Sequence, residues 1–440
     1  MTDKAVDKYL ARWAEPEVHA IAGPLGPGWS AVVVVPCRDE DPARMVSLRR
    51  HLAAVAPGAL LIVVSNGPAG APRSPEADLL KAQAKHDPRW PTPHLGWLRG
   101  EGCDALWVER CGEARGIPTD QGVGRARKLG GDLALALWAQ GAVRSSWIHY
   151  TDADATPSSA IAMMQGAGDG VAVVWPFRHL PSEDEALRRA HLQHEIWMRW
   201  WVRGLEYAGS PFAYHTIGSC MSVSMAGYAQ VRGIPAKAAG EDFHALRKLA
   251  KVGTVLRWVD GPVEIETRRS LRVPFGTGPA AERLSVDPST WRLSTPEVFE
   301  HLRQWLEVMD GIVVGRRDPW SSAGDSRQWI EAAVVEVMGD GWRDKLIGVN
   351  RGGGSRRRAH ESFDALKTLR FVHALERTPR LRTRPGLQVL EAGPAATPAA
   401  ERRRIMAAAL QAGPPAPPAR PPSRSSAAAS PDAGPRPSAT

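Results

Sequence analysis

The residues with the most chemical potential in this 440-residue chain are acidic. In WIHYTDADATP, residues 147–157, the apolar run Trp147-Ile148-His149-Tyr150 stops at two aspartates one residue apart, Asp152 and Asp154. Carboxylates leaving a buried strand can hold a divalent ion, since hard cations take oxygen ligands and keep several waters. The same residues can equally form a polar turn. A second acidic pair, Glu241-Asp242, follows Gly240. Acidic side chains suit the first turn of a helix, where they complement its dipole. Near a substrate hydroxyl, such a carboxylate can instead take a proton. What surrounds the two pairs has to decide between these readings.

The elements that would position them are legible as apolar runs. AVVVV, residues 31–35, reads as a strand buried on both faces. Asp41-Pro42 then suits an N-cap and first helical position. Met45, Leu48, Leu52 and Val55 recur at helical spacing up to Pro57-Gly58. LLIVV, residues 60–64, is a second strand, so a βαβ unit and a parallel sheet are expected. Further strands are expected at 105–108, 147–150, 171–175, 220–224 and 254–259. Helices are expected at about 121–140, with Ala126, Leu129, Leu133 and Leu137 on one face, and at about 241–251.

The resulting organisation is an N-terminal helix and linker over 1–30 and an α/β domain over 31–280 with a single, mostly parallel, Rossmann-like central sheet flanked by helices. A helical region over 281–384 and a Pro/Ala/Arg-rich tail over 385–440, largely disordered, complete the chain.

Composition narrows the function classes. The chain is 43% hydrophobic and 23% charged, enough for a sizeable core. Four scattered cysteines show no C-x-x-C spacing, which speaks against zinc and against a disulfide framework. The net charge of +9 suits anionic ligands, but no nucleic-acid motif accompanies it. No apolar run reaches the ~18 residues of a membrane span, and the start, MTDKAVDKYLARWAEPE, lacks a signal-peptide stretch. A cytoplasmic protein is expected; peripheral membrane contact and oligomeric state stay open.

In open parallel sheets ligands bind beyond the carboxyl ends of the strands. Those ends carry Pro36-Cys37-Arg38-Asp39-Glu40, Ser65-Asn66-Gly67 and Asp152-Ala153-Asp154. Taken with GVGRARKLGGDLAL, HTIGSCMSVSMAGYAQVRGIP, AGEDFHALRKLAKVGTVLRW and RRSLRVPFGTG, this series over residues 31–278 resembles the family-two-type glycosyltransferases of the A-type fold. The order of the segments is that family's and the spacing is close to it.

The resemblance implies a role for each position. Pro36, Arg38 and Glu40 would line a nucleoside and Asn66 would face its base, where the family often has Asp. Arg127 and Lys128 would lie near a diphosphate, and Arg269 and Arg272 would close over it. Asp154 would coordinate Mg2+ or Mn2+, with Asp152 on the metal or the ribose. Asp242 would be the general base and Glu241 its neighbour on the acceptor side. The substrates would be a nucleotide-diphospho-sugar and a hydroxyl acceptor that the sequence does not name, with inversion favoured by the Glu-Asp pattern.

Two rivals remain. A sugar nucleotidyltransferase has a related sheet but a Gly-rich loop after its first strand, where this chain has PCRDED. A non-catalytic binding protein could keep the fold. Other features have plainer readings. Trp197, Trp200 and Trp201 are expected to pack a helix into the core, and His244 to lie on a helix surface. His215, Ser219 and Asp242 lack the G-x-S-x-G elbow of a hydrolytic triad. Arg356 to Arg358 read as a solvated charge run.

Overall fold

The computed structural model describes residues 4–21, 28–90, 92–98, 101–164, 170–270, 272–274, 276–351 and 356–392. Helix α1 (Lys4–Arg12) leads to β1 (Val32–Cys37), all of whose residues are buried. Helix α2 (Pro42–Val55) starts as its sequence requires, with the Asp41 side chain accepting from Ala43 N at 2.9 Å and Pro42 in the first turn. It returns the chain to β2 (Leu60–Asn66), which runs parallel to β1 with Val32 opposite Leu60. The βαβ unit therefore forms as expected.

Next come α3 (Pro75–Gln83), β3 (Ala84–Lys85), β4 (Leu95–Leu98), β5 (Asp104–Arg110) and α4 (Gly122–Ala139). Then follow β6 (Trp147–Tyr150), β7 (Ala155–Thr156), β8 (Gly170–Val174), β9 (Phe177–His179), α5 (Glu185–Tyr207), β10 (Met221–Ser224) and α6 (Met225–Gln230). The α/β part closes with α7 (Glu241–Val252), β11 (Thr254–Arg257) and β12 (Val263–Ile265).

Nine strands form one sheet in the order β11-β8-β10-β6-β1-β2-β5-β4-β3. The sheet is mixed. Strands β6, β1, β2 and β5 are mutually parallel, but β10 runs against both β6 and β8, and β4 against both β5 and β3. An apolar run shows that a strand is buried and not which way it points, so the sequence carries no sign of the reversed strands.

Side chains alternate across the sheet as strand geometry demands. Val32, Val34, Leu60 and Ile62 pack with Leu129, Leu133 and Leu137 of α4 on one face, and Val33, Val35, Leu61 and Val63 pack with Met45, Leu48 and Leu52 of α2 on the other. Each such buried side chain contributes about 1.5–3 kcal/mol of transfer free energy. Helix α4 lies especially close to β1, because Gly130 has no Cβ to strike the Val34 side chain. All four cysteines are buried and free.

A three-stranded sheet, β7-β12-β9, sits beside the large one. Strand β7 begins one residue after Asp154, and β12 ends three residues before Arg268. Strand pairing continues past their ends, with Glu266 N donating to Asp154 O at 2.9 Å. The small sheet thereby sets the loop after β12 in register against the aspartate pair.

The C-terminal part comprises α8 (Thr277–Val286), β13 (Arg292–Leu293), α9 (Pro296–Val313), α10 (Arg327–Met338), α11 (Trp342–Arg351), α12 (Arg356–Ser362), α13 (Ala365–Glu376), β14 (Arg384–Pro385) and α14 (Gly386–Ala392). It packs directly on the α/β part. Leu205 of α5 and Ala208 just after it share a cluster with Trp305, Phe363 and Phe371, and Ala365 joins Leu246 and Leu249 of α7. The expected tail from residue 385 needs correcting at its start. Residues 386–392 are helical, with Val389 and Leu390 buried beside Trp291, and residues 384–385 pair with β13. Residues 393–440, and the linker residues 22–27, lie outside the described residues.

Candidate active site

The carboxyl ends of β1, β2 and β6 open into a cavity of about 850 Å3. Pro36, Arg38 and Glu40 reach it from β1, Asn66 from β2, and Asp152 and Asp154 from β6. Arg127 enters from the first turns of α4, Glu241 and Asp242 from the first turn of α7, and Arg272 from the loop after β12. Beyond β1 the chain turns through Asp39, whose φ of 52° lies in the left-handed region that aspartate tolerates better than most residues. The turn leaves the neighbouring Arg38 and Glu40 both on the cavity.

Arg127 is the hub. Its guanidinium is buried and donates to Glu241 Oε1 through one terminal nitrogen and to Asp152 Oδ1 through the other. Burial works against its charge, but Asp152, Glu241 and Asp242 outweigh burial and hold its pKa above the ordinary arginine value. Gly218 makes room for it, since a Cβ there would fall against the guanidinium. Glu241 is thus committed to Arg127, which makes it a positioning group. Replacing Arg127 with Ala would strand the buried Glu241 carboxylate. Loss of one partner from a buried pair costs about 3–5 kcal/mol, so R127A is expected to unfold at markedly lower denaturant than the parent in an equilibrium urea titration.

The balance at Asp152 is different. Burial raises its pKa, Arg127 opposes this, and Asp154 and Glu241 add to the rise, so the carboxyl is held above the usual aspartate value. Asp242 is pushed up to about 7, by burial first and by Glu241 second. Arg127 and the Phe243 N–H, which donates to Asp242 Oδ1 at 2.6 Å, only partly counter that.

Asp154 accepts from Arg268 Nε, and the same guanidinium reaches Glu40 at 2.8 and 3.2 Å. Arg272 donates to Glu40 at 2.5 Å and to the Arg38 carbonyl. Arg268 therefore holds a place on the cavity for which the sequence reading offered Arg269. Arg269 points outward to Glu282 (2.9 Å) and Asp184 (3.2 Å) and does not line the cavity. The segment after β12 lacks the periodicity that would tell two adjacent arginines apart. Leu271 and Phe275 of the same segment lie outside the described residues.

Lys128 also needs correcting. A helix turns by about 100° per residue, so it cannot share the direction of Arg127. It donates to Asp132 at 2.6 Å and to the Trp13 carbonyl at 2.7 Å. Asp132 is fully buried and also accepts from Tyr9 (2.5 Å), Tyr228 (2.6 Å) and Glu15 N (2.8 Å). This polar cluster ties the N-terminal segment to α4 and lies away from the cavity.

Several cavity residues had no role in the sequence reading. Besides Arg268 these include His179, His191, His194 and Tyr214. Trp197 and Trp201 line the cavity as well, whereas Trp200 packs into the core and donates to the Ser294 carbonyl at 2.9 Å. Their spacing along α5 is visible in the sequence, but not which stripe of that helix faces the cavity. His244 is half-buried on α7 near Lys237 and Arg247 and does not line the cavity. Among the described residues Asn66 Oδ1 is buried and has no hydrogen-bond partner.

The aspartates can be tested as holders of a divalent ion. One oxygen of each is taken by an arginine, and among the described residues no hydrogen bond reaches the other side-chain oxygen. No three His, Cys, Asp or Glu side chains among the described residues form a cage. Two hard carboxylates without a cage fit Mg2+ or Mn2+, which complete their coordination with phosphate and water.

The fold and site together define a mixed α/β protein with a cavity bearing arginines and carboxylates at the carboxyl edge of its central strands. No protein-family model matches the chain, and no curated protein matches it. Among solved structures it is similar to the mannosyltransferase PcManGT from Pyrobaculum calidifontis in complex with GDP-Man and Mn2+, at 14% identity and a TM-score of 0.32, over 84% of this chain and 93% of that one. A likeness of that size carries no weight for the activity of this chain.

Proposed function

We propose that this protein is a metal-dependent glycosyltransferase that moves a sugar from a nucleotide-diphospho-sugar to an acceptor hydroxyl with inversion. The observation that carries this reading is the convergence of Asp152, Asp154 and Asp242 on one cavity around the buried Arg127. One end of the site is suited to a departing diphosphate and the other to a proton.

In this reading Pro36, Arg38 and Glu40 line the nucleoside and Asn66 accepts from its base. Asp154, with Asp152, holds the Mg2+ or Mn2+, which when bound neutralises charge on the leaving diphosphate. Arg268 and Arg272 add cationic donors on the same side. Asp242 takes the proton of the acceptor hydroxyl. The oxygen forms the new bond to the anomeric carbon as the bond from that carbon to the phosphate oxygen breaks, and the electron pair leaves with the diphosphate. A single displacement of this kind inverts the anomeric centre. Arg127 and Glu241 fix the distance between the two ends.

Titration calorimetry with UDP, GDP, ADP and CDP, each with and without Mn2+, tests the donor half. Binding of at least one, tightened by Mn2+, is expected; no binding by any would refute the reading. Arg268→Ala should weaken that binding by about 10–100-fold, the worth of a charge-assisted hydrogen bond, while Arg269→Ala should leave it unchanged. Equal losses in both variants would show that the segment after β12 acts without a specific contact. Asp242 also sets a pH dependence. A base pushed up to about 7 is protonated and idle below that pH. The ratio kcat/KM should therefore rise about tenfold per pH unit up to about 7 and then level off. A profile flat from pH 5 to 8 would contradict this assignment.

A further inference from the structure

Three imidazoles on the cavity have hydrogen-bonding atoms that the protein does not use. His179, at the end of β9, lines the cavity, and its Nδ1 meets Glu195 Oε2 of α5 at 2.8 Å. Glu195 Oε2 also accepts from His179 N at 3.2 Å, and Oε1 accepts from Arg199 at 2.7 and 3.0 Å. Burial opposes the charge of Glu195, but His179 and Arg199 outweigh burial and hold its pKa down to about 2. An ionised carboxylate only accepts, so His179 Nδ1 carries the proton and, in the neutral ring, Nε2 is an acceptor. Among the described residues no hydrogen bond reaches that Nε2, and the atom stays accessible. His194 of α5 is nine-tenths buried and lines the cavity, with both nitrogens unbonded among the described residues and both accessible. Its ring stacks on Trp197 at 5.6 Å and 10°, and Trp197 lines the cavity while 41% exposed. His215, edge-on to Phe177 at 5.0 Å, lines the cavity in the same unbonded state.

The fold sets this wall beside the aspartates. In the small sheet His179 stands opposite Ile265, and Ile265 opposite Ala155, the residue after Asp154. Two strand spacings put His179 about 10 Å from Ala155, with its side chain on the same face as that of Ile265, another cavity residue. The His179 ring meets His191 edge-on at 5.1 Å, His191 Nε2 meets the Arg268 carbonyl at 3.2 Å, and Arg268 donates to Asp154. On the other flank His215 is three residues from Gly218, which lies against the Arg127 guanidinium. The wall is also neutral. Burial first, then His179 for His194 and Arg199 for His215, push both rings down to about 3. A neutral imidazole offers one donor and one acceptor, as a hydroxyl does. A ligand that displaces water from the wall has to satisfy these nitrogens, because a buried polar atom without a partner is costly.

We propose that this wall is a sugar subsite, in which hydroxyls of a sugar ring bond to His179 Nε2 and to His194. Glu195 and Arg199 are positioning residues that fix the His179 ring and leave Nε2 to read a hydroxyl. Trp197 adds an aromatic surface of the kind that packs against the C–H face of a sugar. The proposal rests on the glycosyl-transfer reading, in which the sugar is either the one carried by the diphosphate or that of an acceptor.

The test is calorimetric titration of the full chain, in Mn2+, with UDP, GDP, ADP and CDP, with the glucose and mannose ester of each, and with methyl glucoside and methyl mannoside. His179→Asn keeps an amide where Nδ1 donates to Glu195 and presents nothing at Nε2. His179→Gln gives up the bond to Glu195 and can set its amide oxygen where Nε2 lies. His194→Phe keeps the stack on Trp197 and loses both nitrogens. His179→Asn and His194→Phe are each expected to weaken a sugar-bearing ligand about 3–10-fold, the worth of one hydrogen bond. Free nucleoside diphosphate should bind all variants as it binds the parent, which also shows that they fold. His179→Gln should recover part of the loss. A loss confined to the nucleotide-sugars supports the proposal with the transferred sugar on the wall, and a loss confined to the methyl glycosides supports it with the acceptor there. A loss in His179→Gln but not in His179→Asn would mark His179 as a tether for β9 and overturn the proposal. Sugar affinities unchanged in all three variants, with a nucleoside diphosphate still bound, would overturn it as well and leave the glycosyl-transfer reading standing. Methyl glycoside binding that depends on His179, with no nucleoside diphosphate bound, would overturn that reading and keep the sugar subsite.

Discussion

Asp242→Asn is expected to lower sugar transfer by about 10^2 to 10^4-fold, the usual worth of a positioned general base, while nucleoside diphosphate binding stays within a fewfold of the parent. The two side chains have the same shape, and the amide oxygen can still accept from Phe243 N, so α7 should start as before. What disappears is the capacity to take a proton. The substitution also has a stability signature that reports the raised pKa of Asp242 in the folded protein. The folded pKa of Asp242, about 7, lies above the unfolded value near 3.9. A group raised in this way gives its full stabilising contribution below the unfolded pKa and loses it as pH rises through the folded one. The parent should therefore lose stability between about pH 4 and 7 through this group, and the Asn variant should not. Urea midpoints of the two proteins should diverge in favour of the variant toward pH 8 and converge toward pH 4. Transfer that survives in the variant would show that the base lies elsewhere.

Asp154→Ala should remove the response to divalent metal. The parent is expected to bind nucleoside diphosphate more tightly with Mn2+ than without it, and the variant to bind equally in both. Turnover should fall by about 10^2-fold or more, since Lewis-acid stabilisation of a leaving phosphate is worth several kcal/mol. Arg268 keeps its bonds to Glu40 in the variant, so metal-free nucleotide binding has a cationic partner left. Asp152 makes the informative comparison, because it is bonded to Arg127. Both aspartates accept from an arginine, so Asp152→Ala and Asp154→Ala should each cost some stability, Asp152→Ala the more because its partner Arg127 is buried. An unchanged Mn2+ dependence in Asp154→Ala, read by calorimetry, would remove the metal role from that residue.

The parts of the site that the sequence made legible are those fixed by local pattern. Strands β1, β2 and β6 are bounded apolar runs, and the rule that ligands gather beyond their carboxyl ends brings Arg38, Glu40, Asn66, Asp152 and Asp154 to one edge. Helices α4 and α7 begin where their polar segments end, so Arg127 and Asp242 follow. What stayed hidden depends on orientation. Arg127 and Lys128 are neighbours in sequence but point about 100° apart, and only the packing of α4 decides which one meets the cavity. A signal for Lys128 was present, because Lys128 and Asp132 stand at the i,i+4 spacing of a helical ion pair. Arg268 and Arg269 offer no such signal. The small sheet formed by β7, β12 and β9 separates them, and two- and three-residue strands leave little trace in a sequence. The reversed strands β10 and β4 are hidden for a related reason, since burial sets composition while direction is set by the connections. Helix α14 reads as tail in the sequence because its flanks are rich in Pro and Ala, yet Val389 and Leu390 find a partner in Trp291 almost a hundred residues earlier.

The most direct test of the central claim is release of nucleoside diphosphate from a panel of nucleotide-sugars, followed by mass spectrometry in the presence of Mn2+ and a mixture of methyl glycosides. Release from at least one donor is expected, with the matching glycosylated acceptor formed, the anomeric configuration inverted, and both products lost on chelation of the metal and in Asp242→Asn. No release from any donor, in a protein that also binds no nucleoside diphosphate, would contradict it.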